Sequence, residues 1–334
     1  MNRQDINVPL SVRGHSLEIT GTLSWTNQLN ARTIQVLVPG YTYGRHYWDF
    51  PHRPDKYSYV RAAVEAGYAT LALDRIGTGA SSHPPAAVLT LDLHVAALAA
   101  VVTALRRGSV ADTVSNRIVT VGHSLGSAIV AAHAVSAALD SSVEPVDGSI
   151  LTGFSHLPLP GTPLFFMMAT WPVRTARGGE RLPAGYRTTI PGTRRTLYAP
   201  GPAERAVVIA DERLKETTAN VREVVGRSLP LVYRTRVLGG PLLIITGSRD
   251  TVVCGRPAWM RVERRFLCAS RRCQHCQRPR IRPLPEYLSA RDRGVLVDDR
   301  VVSQSCGCRH FVNCLDVVSV RWVISTVLRF ESST

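Results

Sequence analysis

The chain has 334 residues, 45% of them hydrophobic, which suffices for one large α/β domain with an insertion or for two small domains. Its 40 basic residues outnumber 25 acidic ones, giving a net charge of +15, and every basic residue except Lys56 and Lys215 is arginine. No apolar run is long enough for a membrane span, no apolar leader follows Met1, and no basic patch is interleaved with aromatics; a cytoplasmic chain without a nucleic-acid partner is the expectation.

Residues 6–25 alternate about Arg13-Gly14, which predicts a hairpin. A short apolar strand is predicted over 33–38, ending at Pro39-Gly40. A brief helix over 59–67 closes at Gly67, and a strand follows over 68–74. Residues 86–108 have helical spacing and stop at Gly108. A strand over 117–121 leads into a helix over 124–139, and further strands are predicted over 146–153 and 241–247. Strands alternating with helices imply a mostly parallel sheet with helices on both faces. Between 154 and 240 the pattern breaks: a Pro-, Phe- and Met-rich stretch, a loop-like stretch, and a helical stretch over 206–229 read as a cap insertion. The expected organisation is therefore 1–153 and 241–334 as the two parts of a core, with 154–240 as the cap. Within the cap, Leu164 to Trp171 fits either core packing or the lining of a substrate pocket.

The sharpest local signal is Gly122-His123-Ser124-Leu125-Gly126 between the 117–121 strand and its helix. A strand that turns at once into a helix strains the residue at the apex, and Gly122 and Gly126 remove side chains that would collide where the two cross. Ser124 then points away from the sheet above a helix N-terminus. There the N–H of Leu125 is free to donate to a developing oxyanion. This is a nucleophile elbow, with His123 filling it.

With the elbow, the "VPGYTYG" loop, the "LDRIGTGASS" loop and "LLIITGSRD" in this order and spacing, the chain resembles the α/β-hydrolase fold family over about residues 1–254. Within it, "YWDFP", "GYRTTIPGTRRTLY" and "DERLKETT" resemble a bacterial and fungal group of uncharacterised serine hydrolases, esterase- or lipase-like. The resemblance implies Ser124 as nucleophile, the backbone N–H groups of Tyr41 and Leu125 as the oxyanion hole, and Asp250 as the triad acid. The loop that usually reads His-Gly reads Pro39-Gly40 here. The fold's order of serine, acid and histidine leaves His275 and His310 after Asp250. His310 is preferred, with a strand expected before it and a helix over 311–330 after it. Asp74 is expected to anchor its own loop, His133 to lie on a helix face, and His83 and His156 to border the pocket.

The chain changes character near residue 254. The last 81 residues hold fifteen arginines, no lysine, seven acids and all seven cysteines. Cys268, Cys273 and Cys276 with Cys306, Cys308, His310 and Cys314 allow a zinc site, although the Cys-Gly-Cys spacing suits a tetrahedral site poorly. Disulfides are disfavoured by the odd count and a cytoplasmic setting. A third reading is a tail translated out of frame. No metal and no cofactor enters the expected function: hydrolysis of an ester, thioester or lactone of an apolar acid through an acyl-enzyme. A perhydrolase would use the same triad. The alternative is an impaired, hydrolase-like binding protein or remnant with a broken triad.

Overall fold

The computed structural model describes residues 1–26, 33–110, 117–158, 161–197, 203–247 and 310–315, with residues 250, 252, 253, 263 and 266. Ten strands and seven α-helices are described. Eight strands form one sheet in the order β1 (Asn2–Val12), β2 (His15–Trp25), β4 (Ala69–Asp74), β3 (Ile34–Val38), β5 (Ile118–His123), β6 (Gly148–Thr152), β9 (Leu242–Gly247) and β10 (His310–Leu315). β1 (Asn2–Val12) and β2 (His15–Trp25) form the expected hairpin. Arg13 and Gly14 between them both take positive φ, 50° and 80°, the backbone of a tight two-residue hairpin turn. β2 runs antiparallel to β4 (Ala69–Asp74), and the remaining pairings of this sheet are parallel.

The central strands β3 (Ile34–Val38) and β4 are buried at every residue, so they read as continuous apolar runs. Alternation still sorts them by face. Val36 and Val38 join one core cluster with Leu98, Val101 and Ile129, whereas Leu37 joins the other with Val60, Val64 and Val121. The first cluster lies under α3 (Leu91–Arg106) and α4 (Leu125–Leu139), and the second under α2 (Tyr59–Glu65), which follows the single turn α1 (Pro54–Tyr57). Helix α3 starts five residues later than its spacing suggests. Thr90 caps it, its side chain accepting from Leu93 N–H at 3.4 Å.

Between β6 (Gly148–Thr152) and β9 (Leu242–Gly247) lie α5 (Thr162–Met168), the small hairpin of β7 (Thr170–Pro172) and β8 (Arg187–Thr189), α6 (Arg205–Arg213) and α7 (Leu229–Val232). The helix expected over 206–229 is not continuous. It breaks after Arg213 because Glu216 N–H bonds Thr42 O at 2.9 Å and Thr218 pairs with Arg187; a 3-10 turn, Asn220–Val224, follows. Tertiary partners there replace the helical ladder.

The C-terminal expectation is corrected more sharply. His310, expected in a loop, opens β10 (His310–Leu315), parallel to β9, so residues 311–315, expected to start a helix, are strand; the strand expected before His310 lies outside the described residues. "HFVNCL" mixes aromatic, β-branched and polar residues, which suits an edge strand, and periodicity in so short a run does not separate strand from helix. The cysteine cluster other than Cys314, His275 and residues 316–330 lie outside the described residues. Among the described residues, no helix is long and apolar enough to cross a membrane.

His133 sits on α4 with no exposure, and both ring nitrogens lack a hydrogen-bond partner among the described residues. Burial pushes its pKa from 6.5 down to about 4. Below pH 6.5 the unfolded chain therefore gains a proton that the folded chain refuses, and stability falls as the pH drops toward 4. His133→Leu replaces an unsatisfied polar ring by an apolar side chain. It is expected to stabilise the fold by about 1 kcal/mol at pH 7, roughly 2 °C in melting temperature, and to flatten the loss between pH 6.5 and 4. Calorimetry at pH 7 and pH 5 checks this; a variant that melts below the parent at both would contradict it.

Candidate active site

β5 (Ile118–His123) runs straight into α4, and Ser124 at the junction holds φ 52° and ψ -115°, a strained conformation for a residue with a side chain. The strain is imposed by close packing on both sides. A Cβ on Gly122 would lie 2.5 Å from Gly126 O, and one on Gly126 would lie 2.1 Å from Val38 O. Ser124 N–H donates to Thr152 O at 2.9 Å, and Ser127 Oγ donates to the same carbonyl at 3.0 Å, which pins the elbow to β6. The Ser124 hydroxyl makes no bond to the helix it precedes.

Gly40, just after β3, lies against this serine: a Cβ there would come within 3.2 Å of Ser124 Cβ. The N–H groups of Tyr41 and Leu125, on either side of the elbow, find no acceptor among the described residues. They are the two donors expected from the sequence, and each is a fixed backbone group rather than a rotatable side chain.

Ser124 and Asp250 line one cavity of about 530 Å³. Asp250 follows β9 at the exit end of the parallel strands, where open α/β sheets bind ligands. Its Oδ1 accepts from Val252 N–H at 2.9 Å and Val253 N–H at 2.8 Å, so the carboxylate is held by the turn it begins. His123 also lines the cavity. Its ring stacks on Tyr47 with centroids 4.5 Å apart, its Nδ1 lies 3.1 Å from Thr152 Oγ1, and burial drives its pKa down to about 4. It is a neutral wall residue at pH 7.

The structure does not bring His310 to Ser124 and Asp250. In β10 it pairs with Leu242, the first residue of β9, whereas Leu315 pairs with Gly247, the last. The elbow lies at the exit end of the sheet: His123, the residue before Ser124, is level with Thr152, Ile245 and Asn313, so His310 begins β10 toward the entry end, three residues or about 10 Å of strand before that level. The expectation placed His310 in a loop after a strand, whereas His310 is the first described residue of β10; the residues before it lie outside the described residues.

Other expected roles divide. Asp74 does anchor its loop: its carboxylate accepts from Arg45 N–H at 2.7 Å, Arg45 Nε at 2.8 Å and Ala80 N–H at 3.0 Å. His83 pairs with Glu180 at 2.9 Å, and His156 lies between Glu263 and Thr235; neither lines the cavity. From α5, Phe166 lines it while Leu164 and Met168 face outward, as does Trp171 in β7. Sequence reading missed the main wall, which is aromatic and drawn from one stretch: Tyr41, Tyr43, Tyr47, Trp48, Tyr57 and Tyr59. The signal was the aromatic density of 41–59, easily taken for ordinary core.

A family model described as "Alpha/beta hydrolase family" matches residues 35–310. Among solved structures, the alpha/beta hydrolase GrgF from Penicillium sp. sh18 is 14% identical with a TM-score of 0.51, the match covering 80% of this chain and 86% of that one. A probable hydrolytic enzyme from Pseudomonas aeruginosa PAO1 is 15% identical with a TM-score of 0.51, over 99% and 92% of the two chains. At these identities the likeness is one of fold. No curated protein matches the chain at a significant level.

Proposed function

The chain belongs to the alpha/beta hydrolase family, and from that premise we propose that it is a serine hydrolase acting on an ester, thioester or lactone of an apolar carboxylic acid. The observation that carries this reading is the strained Ser124 between two glycines at an aromatic cavity. Ser124 Oγ attacks the substrate carbonyl, and the charge on its oxygen is taken up by Tyr41 and Leu125 N–H. The bond to the leaving oxygen or sulfur then breaks as that atom gains a proton. Water attacks the resulting acyl-serine, the acyl–Oγ bond breaks, and the carboxylic acid leaves as Ser124 regains its proton. Asp250 is the acid that would orient a base, and aromatic walls would hold the acyl group away from water. Mass mapping of a fluorophosphonate adduct tests the reading: an adduct on Ser124 is expected, and none, or one elsewhere, overturns it.

The proton of Ser124 needs a base, and His310 begins its strand at the wrong end of the sheet. His310→Ala is therefore expected to leave the labelling rate within about twofold of the parent. General-base catalysis is worth roughly 10²–10⁴ in rate, so a fall of tenfold or more would restore His310 to the triad. The same observation favours a second reading, an impaired hydrolase that acylates once and deacylates slowly. A stoichiometric burst from an activated ester with no turnover after it would select that reading; sustained turnover would reject it.

A further inference from the structure

The first residue after β4 is Arg75, only 2% exposed, and its guanidinium points two ways. Nη1 pairs with the carboxylate of Glu223, and Nη2 donates to Gly40 O at 3.2 Å. The Glu223 side is complete without Gly40. Glu223 Oε1 accepts from Thr218 Oγ1 and from Ala219 N–H, both at 2.6 Å, and Oε2 lies 3.1 Å from His94 Nε2. Burial acts to raise the Glu223 carboxyl, but Arg75 and its other partners hold it at about 2, so it stays charged against Arg75. The bond to Gly40 is the arm that this ion pair does not explain.

Gly40 C=O and Tyr41 N–H are the two ends of one peptide group. This peptide is trans, as no cis peptide occurs among the described residues, so the two bonds point in opposite directions across a rigid plane. A donor that fixes the carbonyl therefore fixes the N–H. A positive charge on the oxygen also draws electron density from the nitrogen and makes the N–H a stronger donor, of order 10–30% per bond in condensed phase. The carbonyl accepts a second bond, from Tyr43 N–H at 3.3 Å, which closes the turn but brings no charge. Pro39 before it offers no N–H and no polar side chain to do the task.

The same short segment between β6 and β9 that holds Arg75 also holds Tyr41 from its ring. Tyr41 Oη donates to Asn220 Oδ1 at 3.3 Å, and Asn220 Nδ2 donates to Thr170 Oγ1 at 2.9 Å. Residues 218–223 thus brace the peptide through Arg75 and the side chain through Asn220.

Resting on the assignment of Ser124 as nucleophile, we propose that Arg75 is a positioning residue of the oxyanion hole, orienting and polarising the Gly40–Tyr41 peptide from behind. The test is saturation kinetics of fluorophosphonate labelling, whose phosphoryl oxygen takes the place of the oxyanion. Arg75→Lys keeps a cation for Glu223 but lacks the fork that reaches Gly40 at the same time. The double variant Arg75→Gln with Glu223→Gln leaves no unpaired charge in the interior. In each, the maximal labelling rate is expected to fall ten- to a hundredfold, below the 10²–10³ typical for loss of a whole donor, with half-saturation unchanged. A purely structural role would lower the melting temperature or the fraction that labels and leave the maximal rate of the labelled fraction intact. If the double variant fails to fold, Arg75→Lys decides alone. Labelling within twofold of the parent overturns the role of Arg75; a parent chain that does not label at all overturns the nucleophile, and this inference with it.

Discussion

Ser124→Ala is expected to reduce fluorophosphonate labelling from stoichiometric to background and to remove any acyl-enzyme burst. The reason is positional. Many serines carry the same hydroxyl, but Ser124 alone among the described residues stands at a strand-to-helix apex with φ 52°, opposite Gly40 and beside an unpaired helix N–H. The nearby Ser127 hydroxyl is spent on Thr152 O, and it is fully buried. In a hydrolase whose nucleophile is removed, turnover falls by up to about 10⁶-fold, with a residue from binding and oxyanion stabilisation. The variant is expected to melt near the parent, since alanine tolerates the site no worse than serine does. Labelling at the parent rate by Ser124→Ala would end the assignment, and with it the mechanism.

The elbow was legible in the sequence because its requirements are local. Two glycines, a preceding β-branched strand and an immediately following helix fix the geometry without reference to the rest of the chain. The placement of the Tyr41 and Leu125 N–H groups, proposed as oxyanion donors, was legible for a related reason: a backbone N–H depends on where the chain goes, not on which side chain it carries. Asp250 was placed by the strand before it. What failed depended on distant partners. The 206–229 stretch has helical spacing throughout, yet Glu216 and Thr218 find backbone partners on Thr42 and Arg187 and leave the helix. His310 was expected in a loop because the apolar run after it has a spacing that does not separate helix from strand, and only pairing with β9 makes residues 310–315 strand. The Arg75–Glu223 pair joins residues 148 positions apart, and no local pattern announces such a contact.

The glycines of the elbow make the sharpest structural prediction. Gly126→Ala places a methyl group where the nearest atoms are backbone: Val38 O at 2.1 Å and Pro39 O at 2.8 Å. Backbone carbonyls of a central, fully buried strand have nowhere to rotate. Relief must come from moving α4 away from β3, which opens the contact between Ser124 and Gly40 and shifts Leu125 N–H out of line with Tyr41. Overpacking of this kind costs roughly 1–3 kcal/mol when side chains can yield, and more when only backbone can. A loss of about 3 kcal/mol or more is expected, a large part of the 5–15 kcal/mol that holds a typical domain folded. Labelling of the fraction that still folds is expected to slow at least tenfold, because the two oxyanion donors no longer converge. Gly239→Ala is the matched control. Its Cβ meets nothing within 4 Å, so its melting temperature and labelling rate should equal those of the parent. Gly126→Ala behaving like Gly239→Ala would mean that α4 crosses β3 with more room than the distances allow. The strain at Ser124 would then need another cause than the close approach of strand and helix.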